Sequence, residues 1–153
     1  MEIIWYGLSC FRLSERGRIT VITDPFSDSI GIPSPKLKGD LVTISHDVPG
    51  HNFVEAIKTD PHVLRGPGEY EIGGVFVTGV ATHDAETGRE NVSYLFDFDG
   101  MTVLHLGDLS HVPDQSVVEA LGEVNVLLVP VGGGKGIKAA QAAEVVALIE
   151  PYF

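Results

Sequence analysis

Several short runs of β-forming residues end in a histidine or an aspartate, and this limits the possible folds more than any other feature of the chain. Leu41-Val42-Thr43-Ile44 runs directly into Ser45-His46-Asp47-Val48-Pro49-Gly50-His51-Asn52. Val75–Val80 leads to Thr82-His83-Asp84, and Met101–His105 leads through Leu106-Gly107 to Asp108. Strands end at the edge of a sheet, so residues just past several strand ends can meet there although the sequence separates them widely. His46, His51, His83 and Asp108 are therefore expected to converge on one edge.

The rest of the chain supports a β-rich reading. Ile3–Tyr6, Phe11–Leu13, Ile19–Thr23 and Val92–Phe98 are further runs rich in Val, Ile, Thr and aromatic residues, bounded by turn residues. Glu15-Arg16-Gly17 and Asp97-Phe98-Asp99-Gly100 predict tight hairpin turns, and Gly31–Lys38 a loop. Three helical segments are expected: Gly50–Lys58, Asp114–Leu121 closed by Gly122, and Ile137–Ile149 stopped by Pro151. In the last of these, Ile137, Ala140, Val145, Leu148 and Ile149 fall on one face. Val124–Val131 reads as an apolar strand buried on both faces.

At 153 residues the chain suits a single domain, 1–153, with a real core. No apolar run approaches the ~20 residues of a membrane span, and the start lacks the signals of an exported leader. A single cysteine, Cys10, excludes an internal disulfide, so a cytoplasmic location is expected. Ten Lys and Arg against 21 Asp and Glu give a net charge of −11. With no basic stripe, nucleic acid is not an expected partner.

The order and spacing of Trp5-Tyr6-Gly7-Leu8-Ser9-Cys10-Phe11, Thr23-Asp24-Pro25-Phe26, Gly66-Pro67-Gly68-Glu69-Tyr70-Glu71, His105-Leu106-Gly107-Asp108 and Val129-Pro130-Val131-Gly132-Gly133 resemble the metallo-β-lactamase superfamily. The similarity is to its small Zn-dependent hydrolases related to sugar-phosphate lactonases. It implies an α/β fold, the four-layer α-β-β-α sandwich, here expected to lack the last strand. The family's central motif is H-x-H-x-D-H. His46 and His51 match its outer histidines, whereas Val48 stands at the second His and Gly50 at the Asp. Leu8 replaces a further His. Relatives continue past Phe153 into a strand that carries another metal-binding His.

Carried over by this resemblance, His46 and His83 are ligands of a first metal, His51 of a second, and Asp108 bridges the two. Such metals lower the pKa of a bound water toward ~7 and polarise the substrate. Zinc is the implied ion, with manganese or iron as alternatives. With no donor at Val48 or Gly50 and the C-terminal His absent, one metal on His46, His83 and Asp108 remains chemically possible, and the two-metal mechanism is expected to be lost. Asp24 is either a plain turn residue or a group that orients a ligand histidine. Cys10 is expected to be an inert buried residue.

Three readings follow. The chain is a hydrolase-like homologue with weak or absent activity, a one-metal hydrolase of a small ester, lactone or phosphoester, or a non-catalytic binding or assembly subunit. A small molecule is the expected ligand. A sheet edge left open by the missing strand predicts a homo-oligomer. Alternatively, the chain is a piece of a longer protein whose last histidine lies beyond Phe153 or comes from a neighbouring subunit.

Overall fold

Ten strands form two five-stranded sheets in the computed structural model, which describes residues 1–132 and 134–153. The first sheet holds β1 (Glu2–Gly7), β2 (Cys10–Ser14), β3 (Val21–Thr23), β4 (Leu41–Thr43) and β5 (His62–Leu64), in chain order. β1, β2 and β3 pair antiparallel, whereas β3, β4 and β5 run parallel. The second sheet has β6 (Gly68–Ile72), β7 (Val75–His83), β8 (Glu90–Asp97), β9 (Thr102–His105) and β10 (Val126–Leu128). Its pairs are antiparallel except for parallel β9 and β10.

The two sheets pack face to face. Leu13, Val21 and Leu41 of the first meet Val77, Tyr94 and Phe96 of the second in one apolar cluster. Period-two alternation aims these residues inward: in β7, Val75 and Val77 are buried while Phe76 between them is 60% exposed. The outer face of the second sheet is covered by α1 (Gln115–Leu121) and α2 (Ala139–Ile149), which bury Leu104 and Leu106 beneath Leu121, Ala142 and Val145. The outer face of the first sheet lies under an irregular strap with two 3-10 turns, Asp28–Ile30 and Val54–Ala56. The sandwich has the expected four layers, one of them built from turns.

Several sequence expectations need correcting. The helix expected over Gly50–Lys58 contracts to the 3-10 turn at Val54–Ala56, because its backbone is claimed by distant partners. Phe53 N–H donates to Pro25 O (2.8 Å) and Lys58 N–H to Leu37 O (2.8 Å). Ile137 is buried just ahead of α2, and the buried face of that helix is Ala142 and Val145, with Ala140 exposed. β10 is three residues long and only partly buried because it lies last in its sheet. β5 and β6 were not anticipated. The free side of β10 is not wholly open either: Leu127 N–H donates to Phe153 O and Phe153 N–H to Asn125 O, each at 2.9 Å. That pairing takes up part of the edge on which the expected self-association rested. No helix among the described residues is long and apolar enough to cross a membrane.

Two contacts lock the sheets together beside the edge where β4 and β9 end. The Tyr94 hydroxyl, fully buried, lies 3.2 Å from Ile44 O and 3.3 Å from Leu64 O, so a side chain of β8 holds the ends of β4 and β5. Gly107 has φ +65°, and a Cβ there would press into Ser45 and Asn91. Only glycine permits this approach at low cost.

Replacing Tyr94 with Phe should cost about 1 kcal/mol, the net value of a buried hydrogen bond. This is read as a lower urea midpoint at constant slope, and an unchanged midpoint would show the hydroxyl to be idle. Gly107→Ala should cost more, about 2–4 kcal/mol, since left-handed backbone strain adds to overpacking. Wild-type stability in Gly107→Ala would contradict the close approach.

Candidate metal centre and its cleft

Thr23, at the end of β3, leads into Asp24, whose backbone sits at φ +39° and whose side chain is fully buried. A carboxylate removed from water needs hydrogen-bond partners. Ser45 supplies two, through its backbone N–H (2.8 Å) and its hydroxyl (2.5 Å), and His51 Nδ1 a third at 2.8 Å. Asp24 is therefore the orienting group for His51, which leaves Nε2 of that ring facing the cleft. Burial opposes charge on His51, but the hydrogen bond and charge of Asp24, with the charge of Asp108, prevail over it and over the opposing charge of Arg89. The His51 pKa is raised above its ordinary value.

His46 follows β4, and Asp108 follows β9 across Leu106-Gly107. The turn from His46 to His51 is closed by Val48 N–H to His46 O (2.9 Å) and His51 N–H to Val48 O (2.8 Å). Asp108 is placed by Asn91, whose side-chain oxygen accepts the Asp108 N–H at 2.9 Å while its amide donates to Leu106 O at 3.0 Å. The result brings together three of the four expected residues. Asp108 Oδ2 lies 3.6 Å from His46 Nδ1 and 3.7 Å from His51 Nε2. All three side chains are mostly buried, and His46 Nδ1 has no hydrogen-bond partner among the described residues.

His83 does not join them. It is the last residue of β7, paired across the ladder with Glu90, and its Nδ1 binds Glu90 Oε1 at 2.9 Å on the exposed side. Strand parity is not the cause, since the unbroken β7–β8 register puts His83 on the face of Val75 and Val77; at the end of the strand its ring is 57% exposed and its Nδ1 is taken up by Glu90. The buried neighbour Asp84 instead ties the following turn. Hydrogen bonds from Thr87 and Ser110, with the Glu86 N–H, hold its carboxyl well below the usual carboxylate range.

Arg89, at the end of that turn, was missed by sequence reasoning. One guanidinium nitrogen, Nη2, contacts Asp108 Oδ2, and the other, Nη1, donates to Lys135 O at 2.5 Å. An arginine next to a glutamate in a Gly-containing turn reads as a surface residue, and nothing local reveals a partner 19 residues away.

These groups form the floor of a cleft of about 1260 Å³. Trp5, Leu8, Val48, Val129, Pro130 and Val131 are among the residues that line it, so its walls are largely apolar. The glycine-rich segment reaches the cleft at Gly132, Gly134, Lys135 and Gly136; Gly133 lies outside the described residues. Cys10 is buried nearby, with its thiol pushed up to about 12 by desolvation and by the charge of Asp24, so it is inert. Burial likewise pushes the His105 pKa down.

A two-ion centre does not fit these residues. Val48 and Gly50 offer no donor, His83 faces away, and Asp108 is engaged by a guanidinium. Among the described residues no group of three or more His, Cys, Asp or Glu side chains is arranged to hold a metal ion.

Comparisons with known proteins agree with the architecture. Residues 2–153 match the family described as "Beta-lactamase superfamily domain". A protein of Pyrococcus furiosus is 30% identical over 173 residues, covering 99% of this chain and 80% of its own length. A protein of Natranaerobius thermophilus, named a metal-dependent hydrolase, is 25% identical over 178 residues, with coverage of 99% and 80%. Among solved structures, a candidate Zn-dependent hydrolase of the metallo-β-lactamase superfamily from Thermotoga maritima is 40% identical. It superposes with a TM-score of 0.82 over 97% of this chain and 71% of that one. With its sandwich, its strand-end histidines and the match over nearly its whole length, this chain belongs to the metallo-β-lactamase superfamily.

Proposed function

We propose that this chain is a metallo-β-lactamase-fold hydrolase homologue whose metal centre is incomplete and whose hydrolase activity is weak or absent. The observation that carries this reading is the Asp108 carboxylate. The residue that matches the bridge between two metals is paired with the Arg89 guanidinium, while positions 48 and 50 carry no donor. A guanidinium supplies positive charge but has no vacant coordination position, so it cannot ligate and acidify a water.

A second reading has its own support. His46 Nδ1 is buried without a partner and lies near Asp108, as does His51 Nε2. With the Arg89 contact to Asp108 released and the side chains drawn together, these three would give the three protein ligands that suffice for one catalytic zinc. On this reading the chain is a one-metal hydrolase of a small ester, lactone or phosphoester. His51 then takes the role that the resemblance gave to His83. The names of the relatives favour a hydrolase, and the apolar walls suit a substrate with a hydrocarbon part.

Elemental analysis of protein purified without added metal separates the two readings. The first expects well under one ion per chain and hydrolysis of lactone and phosphodiester substrates near background. His83→Ala should leave the metal content unchanged, whereas His46→Ala should remove any residual ion. Val48→His combined with Gly50→Asp should raise metal affinity by at least the 10–100-fold that even an outer-shell partner commonly contributes. Space permits the second change, since a Cβ at Gly50 meets nothing closer than Leu8 Cδ1 at 3.8 Å. Two tightly bound ions per chain, or rapid hydrolysis abolished by a chelator, would refute the proposal.

A further inference from the structure

Asp108 Oδ2 has three nitrogen-bearing side chains around it. It contacts Arg89 Nη2 and has the imidazoles of His46 and His51 at 3.6 and 3.7 Å. Arg89 is no loose surface side chain. It is 16% exposed, and its two terminal nitrogens are held by acceptors on different segments, the Asp108 carboxylate and the Lys135 carbonyl.

The turn that delivers it is fixed at both ends. Asp84 N–H donates to Arg89 O (3.0 Å), Gly88 N–H donates to Asp84 O (2.7 Å), and the Asp84 carboxylate is held by Ser110 Oγ (2.9 Å). Gly88 takes φ +71°, which lets the chain turn back toward Asp108.

Arginine stays protonated throughout the physiological range, and its planar fork suits a carboxylate. Held here, it supplies the counter-charge that a divalent ion would otherwise bring to Asp108. A metal bonds a carboxylate oxygen at ~2.0–2.2 Å, a position that a guanidinium in contact with that oxygen already takes. Binding an ion would require breaking the ion pair and leaving a partly buried cation beside a second one. Both are unfavourable.

We propose that Arg89 is the resident cation of this centre, standing on Asp108 in place of a metal ion and opposing divalent metals by occupying that carboxylate. This goes beyond the proposed function. Missing donors explain weak attraction for a metal, whereas Arg89 competes with it directly. Removing Arg89 should therefore raise metal affinity without any donor being added.

The test is calorimetric titration of zinc into chelator-treated wild type, Arg89→Gln and Arg89→Lys. Arg89→Gln should bind zinc at least tenfold more tightly than wild type, and Arg89→Lys, which keeps the charge, should stay within about threefold of it. Without metal, Arg89→Gln should melt at a lower temperature than wild type, and excess zinc should restore part of the loss, since a ligand that binds the folded state stabilises it.

Wild-type protein gives a second readout that needs no variant. Millimolar zinc should shift the side-chain 15N signal of Arg89 as the guanidinium is displaced. Equal or weaker zinc binding in Arg89→Gln would overturn the inference, as would saturation of the wild-type site with the Arg89 signal unmoved. The proposed function is read from the wild type's absolute metal content and this inference from the ratio of variant to wild type, so each can fail alone.

Discussion

The buried carboxylate of Asp24 is the constraint on which the site depends. A carboxylate with no solvent contact is costly unless it is fully hydrogen-bonded, and removing one partner of such a group typically costs about 3–5 kcal/mol. Ser45 and His51 meet that demand, and in doing so they fix the path of the chain from β4 through Pro49. The His51 ring is thereby held with one nitrogen spent and the other facing Asp108. Ser27 N–H to Pro49 O (3.2 Å) ties the same turn to the segment after β3. One buried charge thus organises the two loops that follow β3 and β4.

The second sheet brings its contribution to the same place through close backbone contact. Ser45 O accepts the N–H of Val92 in β8 at 2.9 Å, Gly107 lies against the Ser45 side chain, and Asn91 bridges Leu106 and Asp108. Asp24, His46 and Asp108 each follow a strand with a parallel neighbour: β3 and β4 pair with each other, and β9 pairs with β10. The cleft therefore opens outside the carboxyl ends of parallel strands, where loops rather than ladder positions supply side chains and ligands commonly bind.

What the sequence revealed follows the reach of its signals. The strands bearing Val, Ile and aromatic residues stood out because β-branched runs between turn residues are a local pattern. His62-Val63-Leu64 was too short for that pattern, and Gly68-Glu69-Tyr70-Glu71-Ile72 too polar, because β6 is an edge strand with one neighbour. His46, His51 and Asp108 were legible through the resemblance, and Asp24 was weighed as an orienting group. His83 was assigned from its place just past a strand-like run, but its cross-strand partner Glu90 engages the ring at the exposed end of the ladder, and that pairing is set by the β7–β8 register, which no local pattern reveals. Arg89 gave no sign because its partners, Asp108 and Lys135, lie far along the chain.

Charge balance connects these points. Asp24 and Asp108 bring two carboxylates to one edge of a protein with a net charge of −11. In a dinuclear centre, metal ions would offset such a concentration of negative charge. Here Arg89 faces Asp108, and the His51 ring is hydrogen-bonded to Asp24. Coordination and neutralisation are separable demands. A guanidinium can meet the second without meeting the first, because it carries charge and hydrogen-bond donors but offers no Lewis acid. A chain with valine at 48 and glycine at 50 can therefore hold His46, His51 and Asp108 together at one cleft through charge and hydrogen bonding within the protein.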